Sequence, residues 1–94
     1  MSEAQLIQNI KKYLQTLPEC FFWKEHGGQY GTAGIPDIIV CYKGRFIAFE
    51  AKVSKNKETK LQEITIKKIQ SAGGIAAVVR SVDDVKTILV DFKE

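Results

Sequence analysis

Apolar positions along the chain repeat with two different periods. Leu6, Ile7, Ile10, Leu14 and Leu17 recur three or four residues apart, the spacing of one face of a helix. Ser2 precedes them as an N-cap, Gln5 three residues on completes a capping box, and Pro18 requires the helix to stop before it. Cys20-Phe21-Phe22-Trp23-Lys24 reads as a short strand whose aromatics default to the core, ahead of dimer interface or base-stacking surface. Asp37–Tyr42 and Arg45–Val53 are almost continuous apolar runs, two strands joined by the tight turn Lys43-Gly44. Thr59 caps a second helix that carries Ile66 and Ile69 and ends near Ala72, before Gly73-Gly74. Ile75–Val79 is a strand of small apolar residues suited to a central position. Ser81 caps a last helix with Val82, Val85, Ile88, Leu89 and Phe92 on one side. The segment Glu25–Gly34 holds four of the seven glycines and is expected to be a mobile loop.

The order is αβββαβα. The hairpin is antiparallel, and the helical crossover after it implies parallel pairing of the last strand. The expected fold is α/β, a mixed four-stranded sheet flanked by helices, formed by residues 1–94 as one domain.

Charge changes this picture at three places. Asp37, Glu50 and Lys52 lie in strands that should be buried on both faces, where an unpaired charge is costly. Side chains alternate along a strand, so Glu50 and Lys52 share a face, and Asp37 opens the neighbouring strand beside Glu50. Two adjacent carboxylates repel unless a cation lies between them. A hard divalent ion suits two carboxylates, a backbone carbonyl and water, and the Ala51 carbonyl is placed to be the third ligand. Lys52 on the same side would hold water or offset charge on a phosphate. The same residues also admit a plainer account: a buried Glu50–Lys52 ion pair, with Asp37 as a turn residue after Pro36. Glu-x-Lys alone does not decide between them.

The wider pattern carries a resemblance. Gly34-Ile35-Pro36-Asp37, then Glu50-Ala51-Lys52, then Gln62 resembles the PD-(D/E)xK nuclease superfamily with its restriction-endonuclease-like core. More narrowly, the chain is similar to the VRR-NUC family in its stand-alone phage and bacterial form. An early Glu on the first helix, Gly73-Gly74, and Val78-Val79-Arg80-Ser81 at the end of the last strand extend the match over nearly the whole chain. Ala51 departs from it, since a larger apolar residue is common there.

The resemblance implies a Mg²⁺- or Mn²⁺-dependent endonuclease on DNA. Asp37, Glu50, Lys52 and Gln62 are then the catalytic set, and Asp37, Glu50 and the Ala51 carbonyl hold metal. Glu3 is a candidate further ligand; by itself it also fits a helix N-terminus, where acidic groups favour the dipole. Gln62 reads as the capping-box partner of Thr59, and its stripe with Ile66 and Ile69 turns it inward. Lys24, His26, Tyr30, Lys55, Lys57 and Lys60 are candidate DNA contacts, with solvated loop residues as the alternative. Four-way junctions or related branched DNA are the implied substrate. Symmetric cutting of two strands favours a homodimer. A flap or nicking nuclease within a repair complex, or a binding module without activity, remain alternatives.

Composition adds little. The chain is 45% hydrophobic and 27% charged with a formal net charge of +3, which permits a polyanionic partner without requiring one. Cys20 and Cys41 lack metal-ligand spacing and read as buried small hydrophobes in a reducing compartment. The start at Met1-Ser2-Glu3 shows no signal-peptide pattern, and no apolar run has the length of a membrane span. These features and the resemblance give the cytoplasm of a bacterial or phage-infected cell as the expected location, with no membrane partner.

Overall fold

The computed structural model describes residues 1–26 and 33–91. The elements run α1 (Glu3–Leu14), β1 (Cys20–Lys24), β2 (Ile38–Tyr42), β3 (Arg45–Ala51), α2 (Lys60–Ser71), β4 (Ile75–Val79) and α3 (Val82–Val90). The sheet order is β1-β2-β3-β4, with the first two pairings antiparallel and β3–β4 parallel. The α/β order αβββαβα expected from the sequence is the one observed.

Local chemistry accounts for the element ends. The Ser2 hydroxyl accepts from the Gln5 N–H at 3.1 Å, and α1 stops at Leu14 with Gln15 as C-cap, three residues before Pro18. Lys43 and Gly44 both take positive φ, 52° and 80°, as a two-residue turn of the I′ kind requires to match strand twist. Gly73 at φ 96° ends α2. Ser81 caps α3 by accepting from the Asp84 N–H, while the Asp84 carboxylate accepts from the Arg80 N–H. The first-turn aspartate therefore closes a local capping ring.

Two cores flank the sheet. On one face Leu6, Ile7, Ile10 and Leu14 of α1 and Val85 and Leu89 of α3 pack against Ile38, Val40, Tyr42, Ile47, Phe49, Ala51 and Val79. On the other, Ile66 of α2 packs against Ile39, Ala48 and Ala76, with Ile35, Ile69 and Val78 around them. This second face is covered mainly over β3 and β4.

Four expectations are corrected. β4 is an edge strand rather than a central one; the helices on both faces bury it, so its apolar composition does not require a strand on each side. β3 ends at Ala51, although the Lys52 N–H still bonds the Val79 carbonyl at 3.1 Å. Cys41 is exposed, because its part of the second face has no helix above it, and both thiols are free. Phe21 and Trp23 are 68% and 45% exposed for the same reason, so they are not core residues. Phe92, Tyr30 and most of the segment expected to be a glycine-rich loop lie outside the described residues.

Candidate active site

The hairpin register brings the charged residues together. Ile38 stands opposite Phe49, so Asp37, one residue before β2, stands opposite Glu50. By alternation both project on the face of Ile39 and Ala48, the α2 side. In this register Pro36 would stand opposite Ala51. Proline has no N–H, so the ladder breaks there. The Asp37 carboxylate takes the vacant place, its Oδ2 accepting from the Ala51 N–H at 2.8 Å. The Ala51 carbonyl points to the same side of the strand, and the ladder offers it no donor.

Glu50 is the buried centre of the group, at 2% exposure. Its Oε2 accepts from the Gln62 Nε2 at 3.2 Å and lies 3.4 Å from the Lys52 ammonium. Its Oε1 is buried and finds no donor. The Asp37 carboxylate lies near enough to share a hydrogen bond with it if one of the two carries a proton. Without that proton the facing oxygens are both acceptors, and the approach is repulsive. Burial, then the Asp37 charge, pushes the Glu50 pKa up to about 7, against the pull of Lys52. A proton or a cation is needed to settle this pair.

Gln62 joins the site to α2. Its Oε1 accepts from the Thr59 N–H at 2.8 Å while its own N–H donates to the Thr59 hydroxyl at 3.1 Å, the full capping box. The remaining Nε2 donors reach Glu50. Capping and site contact therefore occupy opposite ends of one amide. The approach of the β2 entrance to α2 is close at Gly34, which has φ +82°. A Cβ there would lie 2.8 Å from the Thr65 hydroxyl and 3.0 Å from the Leu61 carbonyl, so a side chain would push Asp37's segment off the helix.

Other expected residues are placed less closely. Among the described residues no three His, Cys, Asp or Glu side chains form a metal-holding group, so Glu3 does not join Asp37 and Glu50 in one. Lys24 projects by alternation to the opposite face from Asp37, and its ammonium donates to the Glu25 carbonyl at 2.9 Å. His26 is exposed, just past β1. Lys55 and Lys57 are exposed on the connection from Lys52 to α2, and Lys60 is exposed at the start of α2.

One residue had more structural consequence than its sequence context indicated. Arg80, at the end of β4, donates to the Ser54 carbonyl at 3.1 Å and to the Asn56 carbonyl at 2.7 Å. It thereby ties down the turn that follows Lys52, in which Ser54 has φ 54°. In the sequence Arg80 figures only in the Val78–Ser81 stretch of the resemblance; the fold shows which carbonyls it meets.

No family model matches the chain, and no curated protein is similar to it in sequence. Solved structures do match. One described as a VRR_NUC domain superposes with a TM-score of 0.77 at 21% identity, over 98% of this chain and 97% of the other. A second, a VRR_NUC domain protein, gives 0.76 at 17% identity over 95% and 85%. The chain has the VRR_NUC fold. At these identities the likeness is one of backbone architecture. Among the described residues no helix is long and apolar enough to cross a membrane.

Proposed function

We propose that the chain is a divalent-metal-dependent endonuclease that hydrolyses phosphodiester bonds in DNA, with four-way or related branched DNA as its substrate. The observation that carries this reading is the orphaned, buried Oε1 of Glu50, on a carboxylate that interacts with Asp37. A structural ion pair alone would leave no acceptor without a partner. Two carboxylates and a backbone carbonyl, completed by water and phosphate oxygens, are a hard oxygen set that fits Mg²⁺ or Mn²⁺. Asp37, Glu50 and the Ala51 carbonyl would hold the ion. Bound there, it supplies Lewis acidity toward the scissile phosphate and a lowered pKa for bound water.

The chain's own groups divide the remaining work. Lys52 sets a positive charge beside Glu50, where it positions water or offsets charge developing on the phosphate. Gln62 holds the Oε2 end of the Glu50 carboxylate and leaves Oε1 free for an ion. Lys55, Lys57 and Lys60 would attract the DNA backbone and make binding weaken with salt. The Lys24 and Glu3 assignments gain no support from their placement. Symmetric cutting of a branched molecule needs two such sites, which favours a pair of chains.

Purified protein incubated with linear, flap and four-way DNA, in Mg²⁺, Mn²⁺ or EDTA, tests the reading. Cleavage of the four-way substrate with either metal, absent in EDTA and absent for Glu50→Gln, supports it. DNA binding without cleavage in any metal would make the chain a binding module, and preference for flaps would place it in a different repair step.

A further inference from the structure

Part of the α2 side of the sheet has no helix above it. In the ladder register Phe21 stands opposite Cys41 and Cys41 opposite Phe46, while Trp23 stands opposite Ile39. Side chains alternate, so all of these share the face on which Asp37 and Glu50 project. Ile66 of α2 covers Ile39, Ala48 and Ala76. Phe21, Trp23, Cys41 and Phe46 stay exposed. The uncovered strip runs alongside α2 and ends at the candidate active site.

Trp23 is the chain's one tryptophan, and its exposed ring is held in place. The indole Nε1 donates to Glu25 Oε2 at 3.0 Å, which settles the ring's orientation and takes up its single donor. What the ring still offers is a bare π face, with the Phe21 ring 6.0 Å away and tilted by 52°. Such a face binds a flat partner by stacking, without reading its edge. Trp23 is also close to the chemistry. It is the diagonal neighbour of Asp37 across β1–β2, about 7–8 Å away. Glu50 lies one strand further on, roughly 12 Å from Trp23 by strand spacing and rise.

The helix beside the strip supplies charge. Gln70 of α2 donates to the Ala76 carbonyl at 2.9 Å, so that side of the helix faces β4. The opposite shoulder faces β2, because Leu61 and Thr65 are the residues that meet Gly34. Lys68 and Ala72 continue that shoulder at helical spacing, and Ala72 reaches Phe46, with which it lines an apolar hollow. Exposed Lys68 thus borders the strip, and no acidic side chain shares its shoulder. Lys52 stands at the far end of the strip beside Glu50. We propose that the strip is the track for an unpaired stretch of the DNA strand being cut, with a base stacked on Trp23 and a phosphate at Lys68.

An aromatic face lined by ammonium groups is the arrangement that binds single strands, because bases stack while cations follow the phosphates. A duplex keeps its bases stacked on one another and has none to offer Trp23. Branched DNA exposes bases where its strands part. Naming that strand as the one that enters the site rests on the nuclease reading above. An apolar peptide could also lie on the floor of the strip, but it would gain nothing from Lys68. The track narrows the substrate: the cut falls close to the branch, on the strand whose bases are open.

Titrating the metal-free protein in EDTA with a single-stranded thymidine oligonucleotide of about 12 residues, followed by Trp23 emission, tests the track without any cleavage. The oligonucleotide should quench the emission saturably, and a duplex of the same length should not. Trp23→Leu keeps an apolar side chain and removes the π face. By anisotropy of a labelled oligonucleotide it should bind at least about fivefold more weakly, with the circular dichroism of the parent. Lys68→Ala should lower the slope of log affinity against log salt by about 0.7, one phosphate contact on a single strand. Emission unchanged by the oligonucleotide, or quenched equally by the duplex, overturns the proposal. So does a Trp23→Leu variant that binds as tightly as the parent, or a Lys68→Ala variant with the parent's salt slope. Quenching in a protein that cuts no DNA in Mn²⁺ would uphold the track and remove the nuclease reading. Cleavage of four-way DNA without any quenching by the single strand would do the reverse.

Discussion

Gln62 donates from Nε2 to the Glu50 carboxylate at 3.2 Å, while its Oε1 accepts from the Thr59 N–H at 2.8 Å. A single amide thus connects the start of α2 to the buried acid of the site. Helix capping and site geometry are coupled through this side chain, and the two contributions separate by mutation.

Thr59→Ala removes one half of the capping box and should cost about 1 kcal/mol of stability while leaving cleavage near the parent level. Gln62→Ala loses the other half and the Glu50 contact together. It should cost about 1–2 kcal/mol and lower the cleavage rate at least tenfold. Urea unfolding and single-turnover cleavage of both variants give the comparison. Equal activity in the two would remove Gln62 from the site.

Glu50 sets a pH dependence of the metal-free protein. Its pKa is raised from 4.5 to about 7, so between those values the folded chain keeps a proton that the unfolded chain has released. Stability from this group is full below pH 4.5 and is lost as pH rises through 7, on the order of 3 kcal/mol in all. Urea unfolding in EDTA at pH 5 and pH 8 should show that fall. Glu50→Gln should flatten it and be more stable than the parent at pH 8.

Metal should act with the opposite sign. An ion bound between Asp37 and Glu50 competes with the proton, so Mg²⁺ or Mn²⁺ should raise the Tm at pH 8 and have little effect at pH 5. Calorimetric titration near pH 7 should register proton release on binding. A Tm unmoved by millimolar Mn²⁺ at pH 8 would count against the metal site.

Lys52→Met removes the cation 3.4 Å from Glu50 and leaves a side chain of similar length. The Glu50 pKa should then rise further, and cleavage should fall at least 100-fold at pH 8. Binding to four-way DNA in Ca²⁺, followed by fluorescence anisotropy, should change less than tenfold.

Arg80→Ala opens two bonds to the carbonyls of Ser54 and Asn56. The expected cost is about 1–3 kcal/mol, with faster amide exchange confined to residues 53–58 and reduced cleavage. Arg80→Lys should restore little, because one ammonium lacks the planar fork that reaches both carbonyls.

Residues close in sequence were the legible part of this protein. Helical spacing in α1, the Ser2, Thr59 and Ser81 caps, and the Lys43-Gly44 turn depend on neighbours within a few positions, and the chain order alone revealed them. The Asp37, Glu50 and Lys52 group was also visible, since charges in apolar strands contradict their surroundings and a hairpin permits only one register for that hydrophobic pattern. The capping role of Gln62 and its inward stripe followed from its place in the first turn of a helix, while its role at the site was implied by the family resemblance.

Burial at the sheet edges was not visible in this way. An apolar strand reads the same whether strands or helices cover it, so β4 was expected at the centre and lies at the edge. Phe21, Trp23 and Cys41 look like core residues in sequence, yet α2 covers only part of their face and leaves them in solvent. Arg80 finds its carbonyls 24 and 26 residues away. Local preference determines which elements form and which side chains share a face; only the packing of helices across the sheet decides which of those faces remain open, because coverage is a property of the whole chain and no short stretch of it carries that information.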